Sequence, residues 1–270
     1  MTVLITASTQ DLAAENIVDK IQRRLFFVES GMSFDGFPIL RNADMLIART
    51  DSDSVFSSGL DRITGVESII FASRHTSKSG ESTLTVHTPG NPLGEAKYGG
   101  KPRSLAIADP NRMSVALKTL SSLALERGLP YRVSLEATHH GPTEMKVPVM
   151  FVEIGSGPVQ WQDDLAGDVV AEAIINAARD TSALRPAVGL GGGHYAPKFT
   201  DLVLDGEVCI GHIFPKYCIP ELTESVMHLG FDRTQGSCTL AMIDWKGIGG
   251  ANRARILDLL LGLGIETRRT

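Results

Sequence analysis

Along this chain of 270 residues, short apolar runs repeatedly end on a histidine or a carboxylate, and that recurrence restricts the possible folds more than any other feature. Arg74 and His75 follow the run 67–72, residues 136–140 follow 131–135, Glu153 ends an otherwise apolar run at 149–154, and His194 follows 187–190 across three glycines. His212 lies in 208–214, and Asp244 closes 239–244. Such runs read as buried strands. Helical patterns separate them. Leu12, Ile17, Ile21 and Leu25 recur at near-helical spacing, and 110–127 has Asp109 as its cap, Pro110 at its first position and Gly128 at its end. Further helices are expected over 158–179, 220–229 and 250–261. The alternation predicts an α/β fold with a mixed, largely parallel sheet and helices on both faces. In such sheets ligands bind beyond the carboxyl ends of the strands. His75, His139, His140, His194 and His212 can therefore converge if their strands run largely parallel.

Other strands are expected at 3–7, 34–40, 44–50 and a last short one at Ile265, with 104–108 re-entering the sheet. Between them, 73–103 is rich in Gly, Pro, Ser, Thr and Lys, and so long a structureless segment in a compact domain reads as an active-site loop. With 43% hydrophobic residues the chain can bury a large core, which implies a single domain over 1–270 or two tightly packed α/β lobes. No apolar run reaches the roughly 18 residues that span a bilayer, and the first nine residues lack a signal-peptide pattern, so a cytoplasmic protein is expected. Three widely spaced cysteines suggest neither disulfides nor a thiolate zinc site. A net charge of -5 argues against a broad nonspecific nucleic-acid binder and leaves room for a local basic rim.

The densest chemistry is Glu136-Ala137-Thr138-His139-His140-Gly141-Pro142-Thr143-Glu144. Neutral imidazole is a common metal ligand and titrates near neutrality, so this stretch reads as a metal site or an acid/base cluster. Gly141-Pro142 excludes the helical pattern of zinc proteases. Gly189-Leu190-Gly191-Gly192-Gly193-His194 lacks the lysine of a phosphate-binding loop, but its amides suit an oxyanion hole, a role assigned to Gly192 and Gly193. Arg74, Lys78, Lys97 and Lys101, extended by Lys146, Lys198 and Lys216, form a candidate basic rim for phosphates. Glu153 is either a buried paired carboxylate or a partner that orients a histidine. His87 and His228 read as ordinary polar residues.

Several of these segments, in order, resemble one family. They are residues 71–75 (Phe-Ala-Ser-Arg-His), 97–100 (Lys-Tyr-Gly-Gly), 136–144, 191–198 (Gly-Gly-Gly-His-Tyr-Ala-Pro-Lys), Gly211-His212, 215–217 (Pro-Lys-Tyr) and 244–247 (Asp-Trp-Lys-Gly). Together they are similar to the archaeal and plant type of D-aminoacyl-tRNA deacylase. The resemblance implies a zinc-dependent monomer that hydrolyses the ester between a D-amino acid and the terminal adenosine of tRNA. The fold it implies is akin to peptidyl-tRNA hydrolases and nucleoside phosphorylases. Around 91–95 and after Gly247 the match is poorer.

Joined to that resemblance, the residues lead us to expect zinc held by some of His75, His139, His140 and His194, activating a water that attacks the ester carbonyl. Glu136 or Glu144 serves as general base or orienter, His140 belongs to the catalytic set, and the basic rim holds the acceptor end of D-aminoacyl-tRNA. Two other readings fit the same residues. One is a metal-free hydrolase or nucleosidase acting on a small nucleoside or acyl substrate, and the other is a non-catalytic RNA-end-binding module.

Overall fold

A computed structural model describes residues 2–270. Strand β1 (Thr2–Ser8) runs into helix α1 (Leu12–Arg24), where the Asp11 carboxylate accepts from the amides of Ala13 and Ala14. Next come β2 (Val28–Phe34), β3 (Phe37–Asn42), β4 (Met45–Thr50), β5 (Val66–Thr76), β6 (Thr83–His87) and the two-residue strands β7 (Gly90–Asn91) and β8 (Ser104–Leu105). After α2 (Pro110–Glu126) the chain forms β9 (Arg132–Leu135), β10 (Val149–Ser156), α3 (Pro158–Trp161) and α4 (Asp164–Ala178). It ends with β11 (Pro186–Leu190), α5 (Pro197–Leu204), β12 (Cys209–Phe214), α6 (Glu224–Asp232), β13 (Leu240–Ile243), α7 (Gly250–Gly262) and β14 (Glu266–Arg269).

Several sequence expectations need correction, among them the single helix over 158–179, which is α3 and α4. The strand expected at 34–40 is a hairpin corner, because Asp35 and Gly36 both take positive φ and turn the chain between β2 and β3. The loop expected over 73–103 contains the end of β5 and all of β6, whose alternation of Thr83, Thr85 and His87 with Leu84 and Val86 is buried on both faces. Residues 104–108 pair first with β7 rather than entering the main sheet. Helix α5 is not among the expected helices, although Pro197 marks its first position.

The large sheet has eight strands in the order β2-β3-β4-β1-β5-β10-β6-β9, and the smaller has four parallel strands in the order β12-β11-β13-β14. Strands β4, β1, β5 and β10 are parallel, while β6 and β9 run opposite to β10. One core joins the sheets: Ile70, Val86 and Val152 of the large one pack with α1, α2 and α4 and with Ile210, Ile213 and Met242 of the small one. A second core sets α6 and α7 against the other face of the small sheet. The second face of the large sheet carries Leu4, Phe71 and Phe151, covered by Leu60, Ala106 and Met145 from connecting segments. Among the described residues, no helix is long and apolar enough to cross a membrane.

The segment after β9 staples the sheets together. Ala137 N–H donates to the His194 carbonyl at 2.7 Å, Ala196 N–H to Leu135 at 3.1 Å, and Thr138 N–H to Ile213 at 2.9 Å. Beneath it His212 is fully buried, with Nδ1 3.2 Å from the Thr138 hydroxyl and Nε2 3.2 Å from the Ala106 carbonyl. Burial lowers its pKa to about 4. The unfolded chain then binds a proton below its ordinary value of 6.5 while the native chain does not, so this contribution is complete above 6.5 and is lost as pH falls towards 4. We expect the wild type to lose up to about 1.4 kcal/mol per pH unit across that window through this one group. Urea midpoints at pH 7 and pH 5 should accordingly differ more for the wild type than for His212→Gln. Equal differences would refute the assignment.

Candidate active site

The face of the large sheet that carries Phe71 and Phe151 also carries the chemistry. Across neighbouring strands Ser73 pairs with Glu153 and His75 with Gly155, while Thr85 opposes Glu153 and His87 opposes Phe151. Side chains on a strand alternate faces, so His75, Glu153 and His87 emerge on one side. Glu136 reaches them from the end of β9, which runs opposite to β5. Convergence thus comes from the face of a mixed sheet, not from parallel carboxyl ends as the sequence suggests.

Glu136 is 1% exposed, with Oε1 3.0 Å from His75 Nδ1 and Oε2 3.0 Å from His194 Nε2 and 3.6 Å from His139 Nε2. Burial opposes its charge, but the His194 hydrogen bond, aided by the nearby imidazoles of His75 and His87, holds its pKa below the carboxylate value. His75 also lies 3.4 Å from Glu153, and its Nε2 is 2.9 Å from the Tyr195 hydroxyl. For His75 burial favours the neutral form, yet the hydrogen bond to Glu153 and the charges of Glu136 and Glu153 together raise its pKa. Glu153 is held low despite burial, chiefly by its bond from His75. The centre is therefore two ionised carboxylates bridged by one imidazole.

Three imidazoles crowd beside it. His139 Nδ1–H donates to the Ala137 carbonyl at 2.8 Å and His140 Nδ1–H to the Gly141 carbonyl at 2.7 Å, which leaves each Nε2 with a free lone pair. His140 holds φ at +46°, a strained conformation for a residue with a side chain. His87 is 0% exposed, its ring is stacked on Phe151 at 5.2 Å, and neither ring nitrogen has a hydrogen-bond partner among the described residues; Nε2 stands 3.8 Å from Glu153 Oε1. Its ring centre is 4.4 Å from that of His139 and 4.8 Å from that of His140. Ligand atoms of His87, His139 and His140 lie within 4.8 Å of one another. Burial, then the neighbouring imidazoles, pushes His139 well below its usual pKa, and His140 falls to about 4 by burial and His87. Neutral, lone-pair-bearing imidazoles around an orphaned buried nitrogen suit a transition-metal ion. Among the described residues two other groups meet the same spacing, His75 with Glu136 and His194, and His87 with Glu136 and Glu153.

His139, His140 and Tyr98 stand where two cavities meet. The larger, about 560 Å³, is also lined by Arg74, His75, Lys78, Glu153 and His194. The smaller, about 350 Å³, is lined by Pro92, Leu93, Glu95, Lys97, Tyr217 and Cys218.

Of the residues singled out in the sequence, His75, His139, His140, His194, Glu136 and Glu153 come together. Glu144 does not: beyond the Gly141-Pro142 turn its exposed side chain pairs with Lys101. Gly192 and Gly193 turn the chain after β11, but the group that faces Gly192 is Asp244, so these glycines deliver His194 rather than line the imidazoles. Lys198 is 2.5 Å from that same Asp244, Lys97 pairs with Glu95 at 3.1 Å, and Lys146 lies in a separate cleft with Glu144. The Lys216 backbone N–H donates to the Gly192 carbonyl at 3.0 Å, and its side chain lines neither cavity. Only Arg74, 2.8 Å from Asp53, and Lys78 line the larger cavity, so the continuous rim reduces to these two. His87, an ordinary polar residue by its sequence context, is the main addition, and Tyr195 is the second.

The sequence model of the D-aminoacyl-tRNA deacylase family matches residues 63–268, from just before β5 to β14. The chain belongs to this family. Deacylases of the family from Thermococcus kodakarensis and Pyrococcus horikoshii are 41% and 40% identical to it, each over 98% of both chains. The Methanosarcina barkeri deacylase is 37% identical over 98% of this chain and 88% of its own length. The crystal structure of a conserved protein of unknown function superposes with a TM-score of 0.92 at 33% identity, covering 99% of this chain and 95% of the other. Every residue of the cluster, from His75 to His194, falls within the matched span of the family.

Proposed function

We propose that this deacylase hydrolyses the ester between a D-amino acid and the 3′ end of tRNA at the wall where the two cavities meet, releasing free D-amino acid and tRNA. The observation that carries the assignment of the centre is His87, a fully buried imidazole with two unbonded nitrogens beside the free Nε2 atoms of His139 and His140. These three histidines would hold a zinc ion, in place of the set expected from sequence. When bound, zinc would supply Lewis acidity toward water and the ester carbonyl.

The chain's own groups account for the protons. Glu136, kept ionised, accepts a proton at Oε2 from the attacking water as its oxygen bonds to the carbonyl carbon. The proton that Glu136 takes passes across the 3.0 Å contact through His194 Nε2, which is partly exposed to the larger cavity, to the ribose oxygen as the ester C–O bond breaks, so that both groups return to their starting protonation. His75 holds Glu136 and Glu153 at fixed separation, and Tyr195 holds His75. Arg74 and Lys78 supply positive charge where the terminal phosphates would enter.

Purified protein assayed on D-tyrosyl-tRNA and L-tyrosyl-tRNA, with zinc per chain measured alongside, tests the reading. Selective release of D-tyrosine, lost on chelation and recovered with zinc, is the expected result. Selective release that survives removal of all metal would shift the chemistry to the Glu136–His194 pair alone. No release from either ester would overturn the function.

A further inference from the structure

Two cavities flanking one reacting centre must take different parts of the substrate, and their linings differ in kind. The larger holds Lys78 and Arg74, the latter paired with Asp53 at 2.8 Å, together with His75, Glu153 and His194. The smaller holds two tyrosine rings with Pro92 and Leu93, and its charged residues, Glu95 and Lys97, neutralise each other at 3.1 Å. A lining of charged groups and imidazoles with Lys78 suits the phosphate and ribose of the tRNA end, and an aromatic cavity without net charge suits neither.

The two rings are exposed yet built in. Tyr98 is 69% exposed and Tyr217 53%. Behind Tyr98, Gly141 N–H donates to the Tyr98 carbonyl at 2.8 Å, and the Asn91 side-chain amide donates to the Gly99 carbonyl at 2.8 Å. Close approach fixes this loop further: a Cβ on Gly99, where φ is +75°, would sit 1.8 Å from the Val55 carbonyl oxygen, and one on Gly141 would sit 2.4 Å from Gly100 N. The segment that carries His140 is therefore bonded and packed directly against the segment that carries Tyr98. Behind Tyr217, Lys216 N–H bonds the Gly192 carbonyl at 3.0 Å and Cys218 N–H the Pro215 carbonyl at 2.9 Å. Large apolar rings held on pinned loops beside a reacting centre are the usual makings of a side-chain pocket.

Resting on the deacylase reading, we infer that the smaller cavity is the subsite for the aminoacyl side chain, seating aromatic side chains between Tyr98 and Tyr217. The scissile ester then lies against His139 and His140, with the side chain on one side and the terminal nucleotide on the other. Tyr98 and Tyr217 become specificity-determining residues, selecting for size and aromaticity.

The experiment compares kcat/KM for tRNA charged with D-phenylalanine and with D-alanine, using wild type, Tyr217→Ala, Tyr98→Ala and Tyr217→Phe. The expected result is that each alanine variant lowers the ratio of kcat/KM for D-phenylalanyl over D-alanyl substrate by about tenfold, the scale of one lost aromatic contact, and that Tyr217→Phe restores it. Loss of equal size on both substrates would mean that the rings stack on the terminal base, and would overturn the inference. Unchanged values on both would also overturn it. A wild-type chain that releases neither amino acid refutes the deacylase reading, and the subsite falls with it.

Discussion

Replacing His87 with phenylalanine leaves a folded chain with little bound zinc and deacylation slowed by more than about 100-fold, the upper end of what loss of a residue merely supporting a metal ligand costs. Phenylalanine keeps an aromatic ring against Phe151, where His87 now stacks at 5.2 Å, and removes both nitrogens while adding one ring atom. The larger ring costs about 1–3 kcal/mol of stability at this buried position, which the thermal midpoint reads, and the zinc content reads the lost lone pair. Zinc per chain, the thermal midpoint and turnover should be read on one preparation. If the variant binds a full equivalent of zinc and turns over normally, the His87, His139 and His140 set is wrong. The set expected from sequence, which uses His75 and His194 instead, would then return.

Glu136→Gln should have a different signature. It keeps the shape of the side chain while removing the charge that stands 3.0 Å from His194 Nε2 and 3.0 Å from His75 Nδ1. We expect kcat to fall by about 10²–10⁴-fold, the range associated with a positioned general base, while zinc content stays near that of the wild type. The His75 pKa, raised in part by the charge of Glu136, should drop, and histidine proton resonances followed through a pH titration would show it. Wild-type kcat in the variant would remove Glu136 from the proton path. Lost zinc with lost activity would make it a metal ligand.

Part of this centre is legible in the amino-acid sequence alone. Apolar runs ending on polar residues locate β5, β9, β10 and β11, because burial of a strand leaves a pattern in composition that a single sequence can show. Adjacent imidazoles before Gly141-Pro142 locate the centre for a similar reason: no packing requirement accounts for them. What stays hidden follows from geometry. β6 reads as loop because Thr83 and Thr85 lie on the face beneath the site, where polar side chains are buried with the carboxylates, so its alternation looks like that of a polar linker. His87 is lost with it. Glu144 lies close in sequence to His140 but, once the chain turns, belongs to the surface with Lys101. The lysines suggest a rim because charge is visible in sequence and its neutralisation is not. Glu95, Glu144 and Asp244 each take one of them.

The staple between the sheets has a mechanical consequence. Glu136 extends from the last strand of the large sheet, whereas His194 follows a strand of the small one, and the two meet at 3.0 Å. The bonds from Ala137 to His194, Ala196 to Leu135 and Thr138 to Ile213 cross between the sheets within a few residues of that meeting point. The boundary between the sheets is therefore a weld and not a hinge. Substrate has to be admitted by loop and side-chain motion, because sliding one sheet past the other would separate the acid from its base.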